Sequence, residues 1–269
     1  VMPEIEWSIH APYIHKINNL TFLTNMIIWK KVKKDYFKDK TSNEFNSKKW
    51  LTIISKRIQA NFKILKEKNF LDQFMASSPL SIMLINERKK NLKILDYGSG
   101  SQEIFFQLSS MRINKMISID SVEVNMLVNF FKKKIFKNKN IKINFLDKIN
   151  FKKKYDYVHI SDSLQYVEDW EVFLKKLNIK DHKYIILNNI PAGNSKSYIT
   201  KQDFYGKEIR NIFFSTKEIC KILNNYNLTF GSLFLNKIKG EYRSYPQMNF
   251  KKTERINYPK TLIFRNKLT

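Results

Sequence analysis

From residue 92 onward, short apolar runs bounded by turns alternate with helical segments. This alternation restricts the chain to a sheet flanked by helices. Residues 93–96, 116–120, 141–147, 155–161 and 183–188 read as strands. Residues 102–111, 122–134 and 170–177 read as the intervening helices. Strands separated by helical crossovers pair in parallel, so a doubly wound, mostly parallel α/β sheet is expected over residues 91–269. Ser215-Thr216-Lys217-Glu218 is a capping box ahead of Ile219, Ile222 and Leu223. Residues 228–235 and 261–264 read as a closing antiparallel pair.

Residues 1–90 have a different texture. The stretch 20–29 is apolar on most faces. Trp50, Ile54, Ile58, Phe62 and Leu65 recur at three- and four-residue spacing, the period of an amphipathic helix. Residues 35–48 are polar and read as a loop, and Pro79 can open another helix. This half is expected to be an N-terminal helical extension, serving as a cap over a site or as a dimer interface.

The chain has 269 residues and a net charge of +25. Such a charge invites a polyanionic partner. However, the sequence holds 42 Lys and 28 Asn against 7 Arg. Lys, Asn, Ile and Phe have codons rich in A and T, so a biased genome yields this mixture without selection for a partner. Arg, the better bidentate phosphate ligand, is scarce. Binding to nucleic acid is therefore open but not favoured. Cys220 is the one cysteine, which excludes an intramolecular disulfide framework and fits a reducing compartment. No apolar run approaches the ~18 residues of a spanning helix. Residues 1–11 lack a basic start followed by an apolar stretch, so a cytoplasmic protein is expected. His10, His15, His159 and His182 show no metal-ligand spacing, and no metal is expected. His159 reads as a core residue, His182 as solvated, and His10 and His15 as lesser candidates for a base. Cys220 reads as a buried small apolar residue.

The first strand of the α/β half ends in Asp96-Tyr97-Gly98-Ser99-Gly100-Ser101-Gln102-Glu103. A dinucleotide fingerprint needs a small residue where Glu103 stands, and no Gly-Lys-Ser/Thr follows for a phosphate loop. A carboxylate there competes with a pyrophosphate for the positive helix end. What remains is a glycine loop preceded by Asp96 and followed, 20 residues beyond Gly100, by Asp120. Asp147 closes the third strand. This pattern suits a nucleoside that carries positive charge instead of phosphate, and S-adenosylmethionine (SAM) is such a group. Asp96, Gly98, Ser99 and Gly100 would meet its methionine and ribose portions, Asp120 the ribose hydroxyls, Asp147 the adenine amino group, and Ser161 the cofactor after the fourth strand.

With these residues the sequence resembles the class I SAM-dependent methyltransferases. It resembles more closely a bacterial subfamily of methyltransferases associated with surface-polysaccharide genes. The closer resemblance rests on residues 94–98, on Ser161-Asp162-Ser163-Leu164-Gln165-Tyr166-Val167-Glu168, on residues 184–191 and on residues 199–202. It covers residues 90–235 and implies the Rossmann-like class I fold and methyl transfer to a small or sugar-linked acceptor, with an oxygen as the methylated atom. Gln102 stands where many such loops carry a further glycine. The segment 188–191 replaces a more basic one.

On the acceptor side, Asp162 is the candidate base, with a helix N-cap as its simpler role. Gln165 and Tyr166 are candidate acceptor contacts. Gln202 is a third, in a long connection, 191–214, that reads as a substrate loop. The competing function is a non-catalytic Rossmann-like module that holds nucleic acid or another polyanion on its basic surface.

Overall fold

The computed structural model describes residues 29–33, 36, 42–66, 79–111, 114–134, 136–204, 207–233, 237–238, 241–242, 249–256 and 259–269. His10, His15 and residues 20–28 of the apolar stretch lie outside the described residues. The order is β1 (Trp29–Lys31), α1 (Ser42–Phe45), α2 (Lys48–Lys66), α3 (Leu80–Asn86), β2 (Asn91–Tyr97), α4 (Glu103–Ser110), β3 (Met116–Val122), α5 (Asn125–Lys132), β4 (Ile141–Leu146) and β5 (Tyr157–Ser161). A 3₁₀ turn (Leu164–Tyr166) leads to α6 (Trp170–Asn178) and β6 (Tyr184–Ile190). Next come β7 (Ala192–Gly193), β8 (Tyr198–Phe204), β9 (Lys207–Ser215), α7 (Thr216–Ile222), β10 (Tyr226–Leu233), β11 (Lys237–Ile238), β12 (Glu241–Tyr242) and β13 (Lys260–Asn266).

The main sheet runs β10-β13-β6-β5-β2-β3-β4. The strands β6, β5, β2, β3 and β4 pair in parallel, and β13 lies antiparallel between β6 and β10. The winding reverses between β2 and β5. That reversal leaves a crevice beyond their carboxyl ends, where doubly wound sheets bind ligands.

Two apolar clusters clothe the sheet. One joins Trp50, Ile54 and Ile58 of α2, Leu80 and Leu84 of α3, Phe105 and Phe106 of α4, and Phe131 of α5 to Ile94, Ile117 and Ile119 of the strands. The other joins Leu174 and Leu177 of α6 and Ile219 and Leu223 to Leu95, Val158, Ile185 and Leu187. The four-residue spacing along α2 buries Trp50, Ile54 and Ile58 on one stripe. The Ser215 hydroxyl accepts from the Glu218 N–H at 3.4 Å, one half of the expected capping box; the other half is replaced, since the Ser215 N–H donates to the Ser197 hydroxyl and the Glu218 carboxylate accepts the Ser197 N–H.

Several expectations change. Trp29–Lys31 is a strand, since Trp29 pairs with Gln202 on β8. The polar stretch 35–48 contains the helical turn α1. The connection 191–214 is no loop: β8 and β9 form an antiparallel hairpin within a second sheet, β1-β8-β9-β7. Phe204, Ile209, Ile212, Phe213 and Phe214 are buried on its two faces, which a solvated loop could not do. β3 runs two residues past Asp120 to Val122, so the following helix opens at Asn125. His182 is buried, and its Nδ1 accepts the Tyr155 N–H. Burial lowers its pKa to about 4. Cys220 is only partly buried. No helix among the described residues is long and apolar enough to cross a membrane.

Candidate functional site

A cleft of about 270 Å³ opens at the carboxyl ends of β2, β3, β4 and β5. Its walls are Tyr97, Gly98 and Gly100 from the glycine loop, Val122, Glu123 and Val124 after β3, and Asp147 after β4. Asp162, Ser163, Tyr166 and Val167 follow β5, and Phe45 and Trp50 come from the α1–α2 hairpin. No lysine or arginine stands among these lining residues.

The loop is built on left-handed backbone. Gly98 has φ +67° and Gly100 φ +51°. The need for glycine at 98 comes from the protein itself. A Cβ there would clash with the side chain of Ser163, whose hydroxyl donates to the Tyr97 carbonyl at 2.9 Å. Gly98→Ala is therefore expected to lower stability by roughly 3 kcal/mol, combining a left-handed Ala with an overpacked contact. A urea midpoint unchanged from wild type would show that the two segments part easily. Gln102 has φ +60° as well. Its side chain offsets that strain with an amide–hydroxyl network: Nε2 donates to Ser99 at 2.6 Å, and Oε1 accepts from Ser121 at 3.1 Å. The non-glycine at this loop position is thus built in.

The acids divide into two groups. Glu123 takes the position facing the loop. Its Oε1 accepts the Gly100 N–H at 2.5 Å and its Oε2 the Val124 N–H at 3.2 Å. Burial and the charge of Asp96 raise its pKa to about 7, against the pull of those two N–H groups. Burial, with the Glu123 charge, pushes the Tyr97 hydroxyl up to about 12. Asp147 is exposed at the other end of the cleft. Asp120 is turned elsewhere: it accepts from Lys153 Nζ at 2.5 Å, Asn144 Nδ2 at 2.9 Å and the Tyr155 hydroxyl at 2.9 Å. Burial opposes these three bonds, and they prevail, holding its carboxyl below the usual range. Asp96 is buried under the loop, 2.8 Å from His159 Nδ1. His159 is thus the satisfied core residue expected. Neither Asp96 nor Asp120 lines the cleft.

After β5, Asp162 adopts φ +54°, and its Oδ2 accepts from Asn189 Nδ2 at 2.5 Å. Asn189 is itself left-handed, at φ +55°. Two such residues tied across adjacent strand ends signal a shaped site, since each costs ~1–3 kcal/mol. Asp162 does not cap a helix: Ser163 precedes the 3₁₀ turn, with no side-chain cap bond. Ser161 accepts from Asn188 Nδ2 at 2.9 Å and lies behind the lining residues.

Tyr166 lines the cleft, and its hydroxyl donates to Gln202 Oε1 at 3.3 Å. Gln202 also accepts from Asn211 Nδ2 at 2.9 Å. Gln165 is buried beside them, and its Oε1 has no hydrogen-bond partner among the described residues. Phe45, Trp50, Tyr166 and Phe204 form an aromatic wall, with Phe45 4.9 Å from Tyr166 and 5.7 Å between Trp50 and Phe204. Of the expected acceptor residues Tyr166 lines the cleft, while Gln165 and Gln202 are buried and do not line it, Gln202 being joined to Tyr166 by its hydrogen bond.

Sequence reading missed Glu123, Phe45 and Trp50. Glu123 had a signal: Ile117, Ile119 and Val122 extend the apolar strand past Asp120. Phe45 had none, standing in a short polar stretch.

No described protein family and no curated protein matches the sequence. Solved structures match the fold. A chain of the Haloferax volcanii complex between the Trm112 methyltransferase activator and a methyltransferase aligns with a TM-score of 0.51 at 10% identity, covering 84% of this chain and 97% of that one. The Burkholderia thailandensis 1,6-didemethyltoxoflavin-N1-methyltransferase aligns at 0.46 and 10% identity, covering 88% and 94%. A SAM-dependent methyltransferase from Clostridium acetobutylicum aligns at 0.46 and 14% identity, covering 79% and 98%. The strand order, the reversal between β2 and β5 and the H. volcanii likeness together give this chain the Rossmann-like fold of class I methyltransferases.

Proposed function

We propose that this protein is a SAM-dependent methyltransferase that transfers a methyl group to an oxygen of a small or sugar-linked acceptor. The observation that carries the reading is a cleft in which a left-handed glycine loop meets three carboxylates, Glu123, Asp147 and Asp162, with no cationic side chain among its lining residues. A phosphate-bearing cofactor would be repelled there, whereas a cationic nucleoside fits.

In this reading Glu123, steadied by the Gly100 N–H, holds the two ribose hydroxyls. Asp147 receives the adenine amino group beside Val124. Ser99 and Gly98 shape the loop, and Asp96 supports it from below through His159. The ribose role expected of Asp120 passes to Glu123, and Ser161 supports the wall through Asn188. When bound, SAM supplies a sulfonium methyl that is already activated. The protein's part is to orient, exclude water and manage one proton. Orientation of this kind is worth on the order of 7–11 kcal/mol. Asp162, held by Asn189, takes the acceptor's proton. Gln165, Tyr166 and Gln202 position the acceptor, and the resemblance in residues 161–168 supports a sugar-linked one. From the N-terminal half, α1 and α2 act as the cap, because Phe45 and Trp50 wall the cleft.

The test is calorimetric titration with SAM and with S-adenosylhomocysteine (SAH). Micromolar binding is expected for both. No binding at millimolar ligand would overturn the proposal and favour the non-catalytic polyanion module. One feature speaks for that second reading: residues 132–154 carry ten lysines against Asp147 alone, along the β4 edge.

A further inference from the structure

Three aromatic residues, Phe45, Trp50 and Tyr166, line the cleft together with Asp162. Phe45 packs on both of the others, with ring centroids 5.4 Å from Trp50 and 4.9 Å from Tyr166. Asp162 and Tyr166 both follow β5, so one short segment supplies the carboxylate and a ring. Phe45 and Trp50 lie outside residues 90–235, the span of the resemblance, so the wall is a feature of this chain's own N-terminal half.

The two hydroxyls on this side are already engaged. That of Ser163 donates to the Tyr97 carbonyl at 2.9 Å, and that of Tyr166 to Gln202 at 3.3 Å. A ring bearing several hydroxyls would bury donors against apolar surface, and each unmatched one weakens binding roughly 10-fold or more. A ring bearing one hydroxyl is satisfied by one carboxylate. No lysine or arginine stands among the lining residues, so an acceptor with its own carboxylate or phosphate meets only like charge. The cleft of about 270 Å³ must also hold the nucleoside, and a planar ring takes the least depth beside it. The proton transfer favours the same kind of ring. A carboxylate is a weak base. Phenols release their proton at about pH 10, whereas aliphatic alcohols hold it to about 16, as water does. The smaller gap makes a phenol the hydroxyl that a carboxylate deprotonates more easily in the transition state.

We propose that the acceptor is an uncharged phenol, its ring packed on Phe45, Trp50 and Tyr166 and its hydroxyl given to Asp162. This rests on the SAM-dependent reading above and narrows the acceptor to a planar small molecule. The phenol oxygen bonds to the methyl carbon while the carbon–sulfur bond breaks. The electron pair of that bond stays on sulfur, which becomes the neutral thioether of SAH, and the phenol's proton passes to Asp162. A sulfonium and a carboxylate enter the step, and two neutral groups leave it.

The test titrates SAH-loaded protein with four probes: 2-naphthol, its saturated and puckered counterpart 2-decalol, 6-hydroxy-2-naphthoate, and methyl glucoside. 2-Naphthol should bind at about 10⁻⁴ M. 2-Decalol and 6-hydroxy-2-naphthoate should each bind at least about tenfold more weakly, and methyl glucoside should not bind at about 10 mM. Phe45→Leu keeps apolar bulk and removes a ring. It should weaken 2-naphthol about 3–10-fold and leave 2-decalol within about twofold. With SAM, wild type should convert 2-naphthol to its methyl ether at least about 100-fold faster than 2-decalol. Equal binding of 2-naphthol and 2-decalol to wild type would make the wall a merely apolar surface and overturn the proposal. Preference for methyl glucoside would overturn it in favour of a sugar. A 2-naphthol that binds without being methylated would overturn it as well. If SAH binds and 2-naphthol does not, the phenol alone fails. If SAH does not bind, the cofactor reading fails and takes the phenol with it.

Discussion

Asp162→Asn is expected to lower turnover about 10²–10⁴-fold, the usual share of a general base, on an acceptor that wild type methylates. SAH affinity should stay within about threefold. The variant isolates basicity from shape. Asp162 sits at φ +54°, a region that Asn enters readily. Its Oδ2 accepts from Asn189, and an Asn carbonyl oxygen accepts in the same way. Backbone, hydrogen bond and volume are therefore kept, and only the capacity to take a proton is lost. Turnover unchanged from wild type would remove Asp162 from the base role. A parallel collapse of SAH binding would make it a cofactor ligand instead.

Glu123→Gln is expected to weaken SAH binding roughly 100-fold at pH 8, because a ribose diol then meets one acceptor oxygen instead of a carboxylate. Its pH signature is equally specific. The pKa of Glu123 is raised from 4.5 to about 7, chiefly by burial. Between those values the folded state holds a proton that the unfolded state has released. The contribution to stability is therefore full below pH 4.5 and is lost as pH rises through about 7. The loss is on the order of 1–3 kcal/mol, discounted for the partly open position of the side chain. Ligand binding runs the other way: SAH affinity should rise with pH up to about 7 and level off as the carboxylate forms. In Glu123→Gln both pH dependences should flatten. Thermal melts and titrations at pH 6 and pH 8 read both, and a wild-type protein indifferent to pH in this window would show that Glu123 is ionised throughout.

The sheet was legible because its signal is local. Residues 94–95, 117–119, 158–160 and 185–187 are the centres of short, mostly apolar runs between turns, and burial on both faces of a parallel sheet favours such runs. The glycine loop was legible for a similar reason, since left-handed backbone selects glycine in the sequence itself. Gln102 shows the limit of that rule. It holds φ +60° because Ser99 and Ser121 bind its amide, and Ser121 lies 19 residues away.

Which acid faces the cleft was not legible. Asp120 and Glu123 stand three residues apart at one strand end, and either could meet a ribose. The choice fell to Lys153, Asn144 and Tyr155, which come from distant segments and draw Asp120 away from the cleft. The β8–β9 hairpin was hidden in the same manner: a strand that pairs with Trp29 from the far end of the chain leaves no periodic mark strong enough to exclude a loop. By itself, the sequence determined the parallel α/β core, the loop at its switch point and the acidic character of the site, all set by hydrophobic period and backbone conformation. Only the tertiary structure decided which carboxylate stays in the cleft and which aromatic residues wall it. Those outcomes depend on partners tens of residues apart, and pairing at that range is an energy of the assembled fold, absent from any local stretch of chain.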